Sequence, residues 1–309
     1  MRFRRSLATA ASFALLVIAP RAALAWDDLG HMVIVRIAWQ QLPAAVRERV
    51  IATLLEAPSD AGLVELRPSG ADPSREFMFA ALASTWPDLI RHPDPAARHA
   101  YHRGDWHYID LTWSTAPDGA AVPWTTRDPD AANIVVKLAA LSAVIRDRGT
   151  DPGARAVALA WVLHLAGDLH QPLHASSRIS DADPRGDHGA ASFAIDSTMS
   201  LHWYWDRVLS ARYPRLPDES RERYVARVTE AVLAHTGGDS LAARAGQLDF
   251  AVWARESLAS AQRDVYCCGI APWQPASDRY LAHADAIAEP RIALAGFRLA
   301  ALLERIFAQ

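Results

Sequence analysis

Cysteine is nearly missing from this chain: 2 in 309 residues, the adjacent Cys267 and Cys268. Neighbouring cysteines seldom reach disulfide geometry, so no disulfide framework is expected. Repeats, low-complexity tracts and runs of strand-like segments are absent as well. Positive charge is not in excess, since 32 Lys+Arg stand against 35 Asp+Glu for a net charge of −3. A broad basic face for holding a polyanion is thereby excluded. After the first twenty residues no apolar run is long enough to anchor the chain in a bilayer.

What is present begins with a leader. Arg2, Arg4 and Arg5 precede an apolar stretch from Ala8 to Ala19, and Ala23-Leu24-Ala25 forms an A-x-A cleavage site. This pattern predicts a secretory signal over residues 1–25, removed after Ala25, and a secreted or periplasmic protein that begins at Trp26. The leader carries four arginines and no acid. Its loss leaves 28 Lys+Arg against 35 Asp+Glu, a net charge of −7. Any anionic substrate must then be attracted locally. With few cysteines to cross-link it, an exported chain can use metal as its staple.

Helical periodicity dominates residues 26–309. Helices are expected at Met32–Gln41 and Ala44–Glu56, divided by Pro43, and at Arg75–Thr85, which stops before Pro87. More are expected at Ala131–Arg148, Ala154–Gln171, Met199–Leu209, Ser220–His235, Phe250–Tyr266 and Arg291–Phe307. The segment from Trp106 to Asp110 is short and aromatic and reads as extended. Ala57–Ser74 reads as loop. A single all-α domain over 26–309 is the simplest architecture.

Two pairs carry the chemistry. His164 and Asp168 are four apart on one helix, and His202 and Asp206 repeat that spacing on another. Residues at i and i+4 project from the same face, which suits two ligands on one ion. Pro172 bends the chain after the first pair and redirects His174. His170 falls on a different face and reads as structural or as an outer support of the ligands. Taken singly, a His-x3-Asp pair is more often a satisfied helix surface, and His31, Asp88 and His107 are more often a core histidine, a helix cap and a packed aromatic neighbour. In combination they point to metal.

These residues stand in blocks that resemble the S1/P1 nuclease family. The blocks are Trp26-x4-His31, Trp86-Pro87-Asp88-x2-Arg91 and Trp106-His107-Tyr108-x-Asp110. They continue with His164-x3-Asp168-x5-His174, His202-x2-Trp205-Asp206, Trp253-x2-Glu256-Ser257 and Gly296-x-Arg298. The resemblance spans nearly all of 26–309 and implies an all-helical fold of the phospholipase C/P1 nuclease type, with a metal cluster in a cleft. It implies three zinc ions: one on Asp88, His107, His164 and Asp168, and one on Asp168, His31 and the amino nitrogen and carbonyl oxygen of Trp26. The third is on His174, His202 and Asp206. Six positive charges against three aspartates would leave the cleft near +3 in an acidic protein.

The implied reaction is metal-assisted hydrolysis of phosphodiesters in single-stranded DNA or RNA, leaving 5′-phosphates, with 3′-nucleotides as further substrates. Asp88 would orient water and Arg91 would stabilise the phosphoryl group. Tyr108 would stack a base and Asp110 would read its edge, which demands an unpaired strand. One block departs: where the family has Asp-x-Gly-Gly-Asn, this chain has Asp183-Pro-Arg-Gly186-Asp187, which puts substrate preference in question. Asp187 and His188 offer, by composition, a further metal contact. A zinc-dependent phospholipase C is the nearest alternative, and the spacing from Trp26 to His31, with Asp206 as final ligand, favours the nuclease. A non-catalytic zinc-binding protein is the second alternative, and it would have no use for Arg91 or Tyr108. No protein partner is implied.

Overall fold

The computed structural model describes residues 26–70, 74–91, 99–123 and 131–308. The expected leader lies outside them. The architecture is all-α, as the periodicity predicts, with twelve α-helices and one small sheet among the described residues. Helix α1 (Asp28–Gln41) opens on Asp27, whose carboxylate accepts from the Gly30 N–H at 3.1 Å, and it ends before Pro43. Then come α2 (Ala44–Leu55), α3 (Arg75–Ala83) and the short α4 (Trp86–Leu89). Helix α5 (Ile134–Arg146) packs against α6 (Pro152–Asp168). Asp151 caps α6 with Pro152 in its first turn, and from Ala158 to Asp168 every residue is buried. A helix apolar on all sides belongs in the centre of a core, and α6 lies there, touching α1, α2, α5 and α12.

Helices α7 (Leu201–Asp206), α8 (Val208–Arg212), α9 (Arg221–Thr236), α10 (Gly238–Ala242) and α11 (Phe250–Ser260) lead to α12 (Asp278–Phe307), which runs along α1. One cluster of buried side chains extends from Trp26 to Phe307. Strands β1 (Thr112–Thr115), β2 (Ala121–Pro123) and β3 (Ser177–Ile179) form a sheet in the order β2-β1-β3. In it β1 is antiparallel to β2, with Trp113 opposite Pro123, and parallel to β3, with Trp113 opposite Arg178.

Several local expectations are corrected. The final helix starts at Asp278 rather than Arg291, with Pro290 inside it. A proline removes one helical hydrogen bond, and here tertiary packing outweighs that loss: Tyr280, Ala284 and Ala288, upstream of Pro290, are all buried. Gly104–His107 is a 3-10 turn, so only the chain from Tyr108 onward is extended. Met199–Leu209 is divided between α7 and α8 at Arg207, and Phe250–Tyr266 ends in a π turn over Ala261–Val265. The loop Ala57–Ser74 holds two 3-10 turns. Cys267 and Cys268 are joined in a disulfide, against expectation. They sit in the turn that leaves the π segment, where Cys268 has a left-handed φ of 60°.

Candidate metal centre

Six pieces of chain deliver the site. Helix α1 brings His31, and α4 brings Asp88 with Arg91 just beyond it. The 3-10 turn at Gly104–His107 brings His107, and the last turn of α6 brings His164 and Asp168. Pro172 stops α6 and starts a second 3-10 turn, Pro172–Ala175, that turns His174 inward. Helix α7, capped by the Ser200 hydroxyl on the Trp203 N–H at 3.1 Å, brings His202 and Asp206. Gly167 lets α1 close on α6, since a β-carbon there would stand 2.9 Å from His31 Nδ1.

These residues meet in three groups, the first two sharing His164, and within each the ligand atoms lie within 4.8 Å of one another: His31, Asp88 and His164; His107, His164 and Asp168; and His174, His202 and Asp206. In the second group His107 Nδ1 is 3.0 Å from His164 Nε2 and 2.9 Å from Asp168 Oδ2, and His164 Nε2 is 3.1 Å from that same oxygen. Asp88 Oδ1 faces both imidazoles at 3.8 and 3.9 Å. His31 Nε2 reaches the other Asp168 oxygen at 3.3 Å. Asp168 is thus shared between His31 on one side and His107 with His164 on the other, the position of a bridging carboxylate. In the third group His174 Nε2 is 3.3 Å from His202 Nε2, and Asp206 lies 3.6 Å from His202 and 3.8 Å from His174.

Proton accounting shows what these contacts lack. His174 Nδ1 donates to the His107 carbonyl at 2.7 Å and His202 Nδ1 to the Gly189 carbonyl at 2.7 Å. A carbonyl only accepts, so the proton of each neutral ring is on Nδ1 and both Nε2 atoms present lone pairs. Two lone pairs facing at 3.3 Å repel unless a cation lies between them. His164 repeats the pattern, with Nδ1 on the Ser84 carbonyl at 2.8 Å. Carbonyl-anchored imidazoles are the usual outer support of metal-bound histidine. Buried atoms with no hydrogen-bond partner gather here too: both ring nitrogens of His31, His107 Nε2, and one oxygen each of Asp88, Asp168 and Asp206. The donor set also has the right size. Tetrahedral zinc with N and O ligands at ~2.0–2.1 Å has ligand–ligand edges of about 3.3–3.4 Å, and the measured separations bracket that value.

Electrostatics agree. Burial and the nearby Arg91 push His107 down to about 3, so its ring is neutral, and burial with the neighbouring His164 lowers His31. Burial alone would lower His164, but Asp168 and Asp88 outweigh it and raise it, which marks a point that attracts positive charge. Burial pushes the Asp206 carboxyl well above its ordinary range, even though Gln171 Nε2 donates to it at 2.8 Å.

Trp26 is fully buried, and its indole N–H donates to the Gly167 carbonyl at 3.1 Å, one residue from Asp168. The next residue's N–H, on Asp27, donates to the Asp206 carbonyl at 2.8 Å. Position 26 is therefore pinned between α6 and α7. Arg91 Nε lies 3.1 Å from Asp88 Oδ1. Tyr108 is 39% exposed, on extended backbone beside His107. Asp110 is paired with His188 Nδ1 at 3.1 Å.

Asp187 belongs to none of the candidate ligand groups among the described residues. Its carboxylate accepts from the Arg178 N–H at 2.9 Å and the Tyr266 hydroxyl at 2.6 Å, fixing the loop whose Gly189 carbonyl holds His202. Gln171 escaped the sequence reading because a glutamine between two histidines carries no spacing signal. His170 is structural, as expected: Nδ1 donates to the Ala166 carbonyl at 2.8 Å, while Nε2 accepts from Arg298 at 3.0 Å. Arg298 in turn grips Glu256 at 2.6 and 3.0 Å.

A buried, carboxylate-bridged cluster of imidazoles at the junction of several helices defines a metal-dependent hydrolase centre. The S1/P1 Nuclease family model matches residues 26–308, and the chain belongs to that family. No curated protein matched it. Membership makes the protein a phosphodiester hydrolase acting on nucleic acid, with the all-α fold of P1 nuclease and phospholipase C. Among the described residues no helix is long and apolar enough to cross a membrane.

Proposed function

We propose that this protein is an exported, zinc-dependent nuclease that cuts single-stranded DNA or RNA to 5′-phosphate products and also removes phosphate from 3′-nucleotides. The observation that carries the reading is the set of imidazoles anchored on carbonyls through Nδ1, whose Nε2 atoms gather around Asp168 and Asp206. Zinc fits this nitrogen- and oxygen-only donor set, with Asp88, His107, His164 and Asp168 as one site. His31, Asp168 and the main chain of Trp26 are a second, and His174, His202 and Asp206 a third. Bound there, zinc supplies Lewis acidity toward water and the phosphoryl oxygens.

The chain's own groups supply the rest. Asp88, whose Oδ1 faces His107 and His164, orients the attacking water. Arg91, held against Asp88 at 3.1 Å, brings fixed positive charge to the phosphoryl oxygens. Tyr108 stacks an unpaired base at the rim, and Asp110 accepts from the base edge. Export supports the Trp26 role. Removal of residues 1–25 would create an α-amine there, with a pKa near ~8 that a metal displaces readily.

The deciding experiment incubates protein beginning at Trp26 with single- and double-stranded DNA, RNA, 3′-mononucleotides and phosphatidylcholine, then analyses the product ends and the bound metal. Single-strand cleavage with 5′-phosphate ends and about three zincs per chain is expected. A version with one extra residue before Trp26 should lose both metal and turnover. Phosphatidylcholine turnover alone, or full activity in the extended version, would overturn the nuclease reading or the Trp26 role respectively.

A further inference from the structure

Cys267 and Cys268 have no part in the centre described above, and their disulfide is a poor staple. Cross-linking adjacent residues closes almost no loop and so removes almost no entropy from the unfolded chain. A different use is suggested by the surroundings. The pair follows the π turn at Ala261–Val265, and α12 returns past it, so that both sulfurs and a ring nitrogen of His283 lie within 4.8 Å of one another. All three residues are partly exposed, open to both a cation and a reductant.

His283 Nε2 is a buried atom with no hydrogen-bond partner, and it stands 3.9 Å from Asp264 Oδ1. Asp264 itself is held by the Ser260 hydroxyl at 3.0 Å and by Arg263 at 3.0 and 2.6 Å. It is too engaged to be a ligand but well placed to bias the imidazole by its charge. Two sulfurs and one imidazole nitrogen within 4.8 Å of one another form a donor set softer than anything in the nuclease centre.

We propose that Cys267, Cys268 and His283 form a redox-gated site for one soft d10 divalent cation, separate from the nuclease centre. Oxidised, the sulfurs are bonded to each other and the site is closed. A dithiol reductant opens it by thiol–disulfide exchange: the reductant's two S–H groups become one S–S bond, and the protein's S–S bond becomes two thiols. Cation binding then releases two protons as two metal–thiolate bonds form.

The test uses the whole mature protein loaded with zinc, and cadmium as the probe. A trialkylphosphine opens the disulfide without adding a competing thiol, taking up oxygen from water as the two protein thiols form. Cadmium is titrated before and after reduction, followed by the thiolate-to-cadmium charge-transfer band and by native mass spectrometry. The nuclease ligands contain no sulfur, so the band reports only on the cysteines. Reduced protein should bind one additional cadmium with the band, and oxidised protein should show neither. His283→Ala, at a partly exposed position, should weaken the titration at least about tenfold, and Cys267→Ser with Cys268→Ser should abolish it. No band in the reduced protein, equal uptake by the oxidised protein, or an unchanged titration in His283→Ala would each overturn the proposal.

Discussion

A neutral imidazole carries one N–H and one lone pair, and anchoring the N–H on a carbonyl decides where the lone pair points. His164, His174 and His202 are all anchored in this way, on Ser84, His107 and Gly189. Asp168 has three imidazoles within 3.3 Å, His107 and His164 at one oxygen and His31 at the other. Asp168→Asn keeps the volume but removes the charge that two ions would share. Loss of a mere supporting residue costs ~10–100-fold in metal affinity, so turnover should fall more than a hundredfold and bound metal should drop as well. Near-normal rates with full metal content would contradict the bridging role.

Glu256 offers a test by pH. Burial would raise its carboxyl, but Arg298, Arg291 and Arg244 outweigh that and hold it below 4.5 in the folded chain. A carboxylate with a depressed folded pKa adds stability that is present above 4.5 and is lost as pH falls through the folded value. Glu256→Gln should therefore be less stable near neutrality and should lose less on acidification. Melting temperatures from about pH 6 to 3 would show the two curves converging, and parallel curves would refute this account.

Elements meet in this protein where glycine replaces a side chain. Helix α12 lies so close to α1 that a β-carbon on Gly296 would stand 2.5 Å from Ile37 Cβ and 3.0 Å from the Ile34 carbonyl oxygen. Glycine-to-alanine in a helix normally gains ~1 kcal/mol. Here neither the backbone carbonyl nor a β-carbon can swing aside, so overpacking wins. Gly296→Ala should destabilise the fold by about 1–3 kcal/mol, measured by urea unfolding. A more stable variant would mean that the two helices separate freely.

Across the whole molecule, ions and fold should be coupled. Asp88, Asp168 and Asp206 come from α4, α6 and α7, and without cations they are acidic groups crowded into a buried region beside imidazoles. A ligand bound only by the folded state, at a thousandfold over its dissociation constant, adds about 4 kcal/mol. Exhaustive chelation should lower the melting temperature by several degrees, and zinc should restore it. A melting curve indifferent to chelator would mean that the clusters do not hold metal.

Periodicity alone determined that the protein is helical, and four-residue spacing alone put His164 with Asp168 and His202 with Asp206 on common faces. Both are local consequences of helix geometry. Only tertiary structure decided which face met which. It turned His174 toward α7, set His31 against Asp168 across the gap left by Gly167, and brought His107 in on a 3-10 turn. It also carried α12 through Pro290 and joined Cys267 to Cys268. Such outcomes depend on packing between residues far apart in the chain, where burial is strong enough to override local preference and no spacing rule applies.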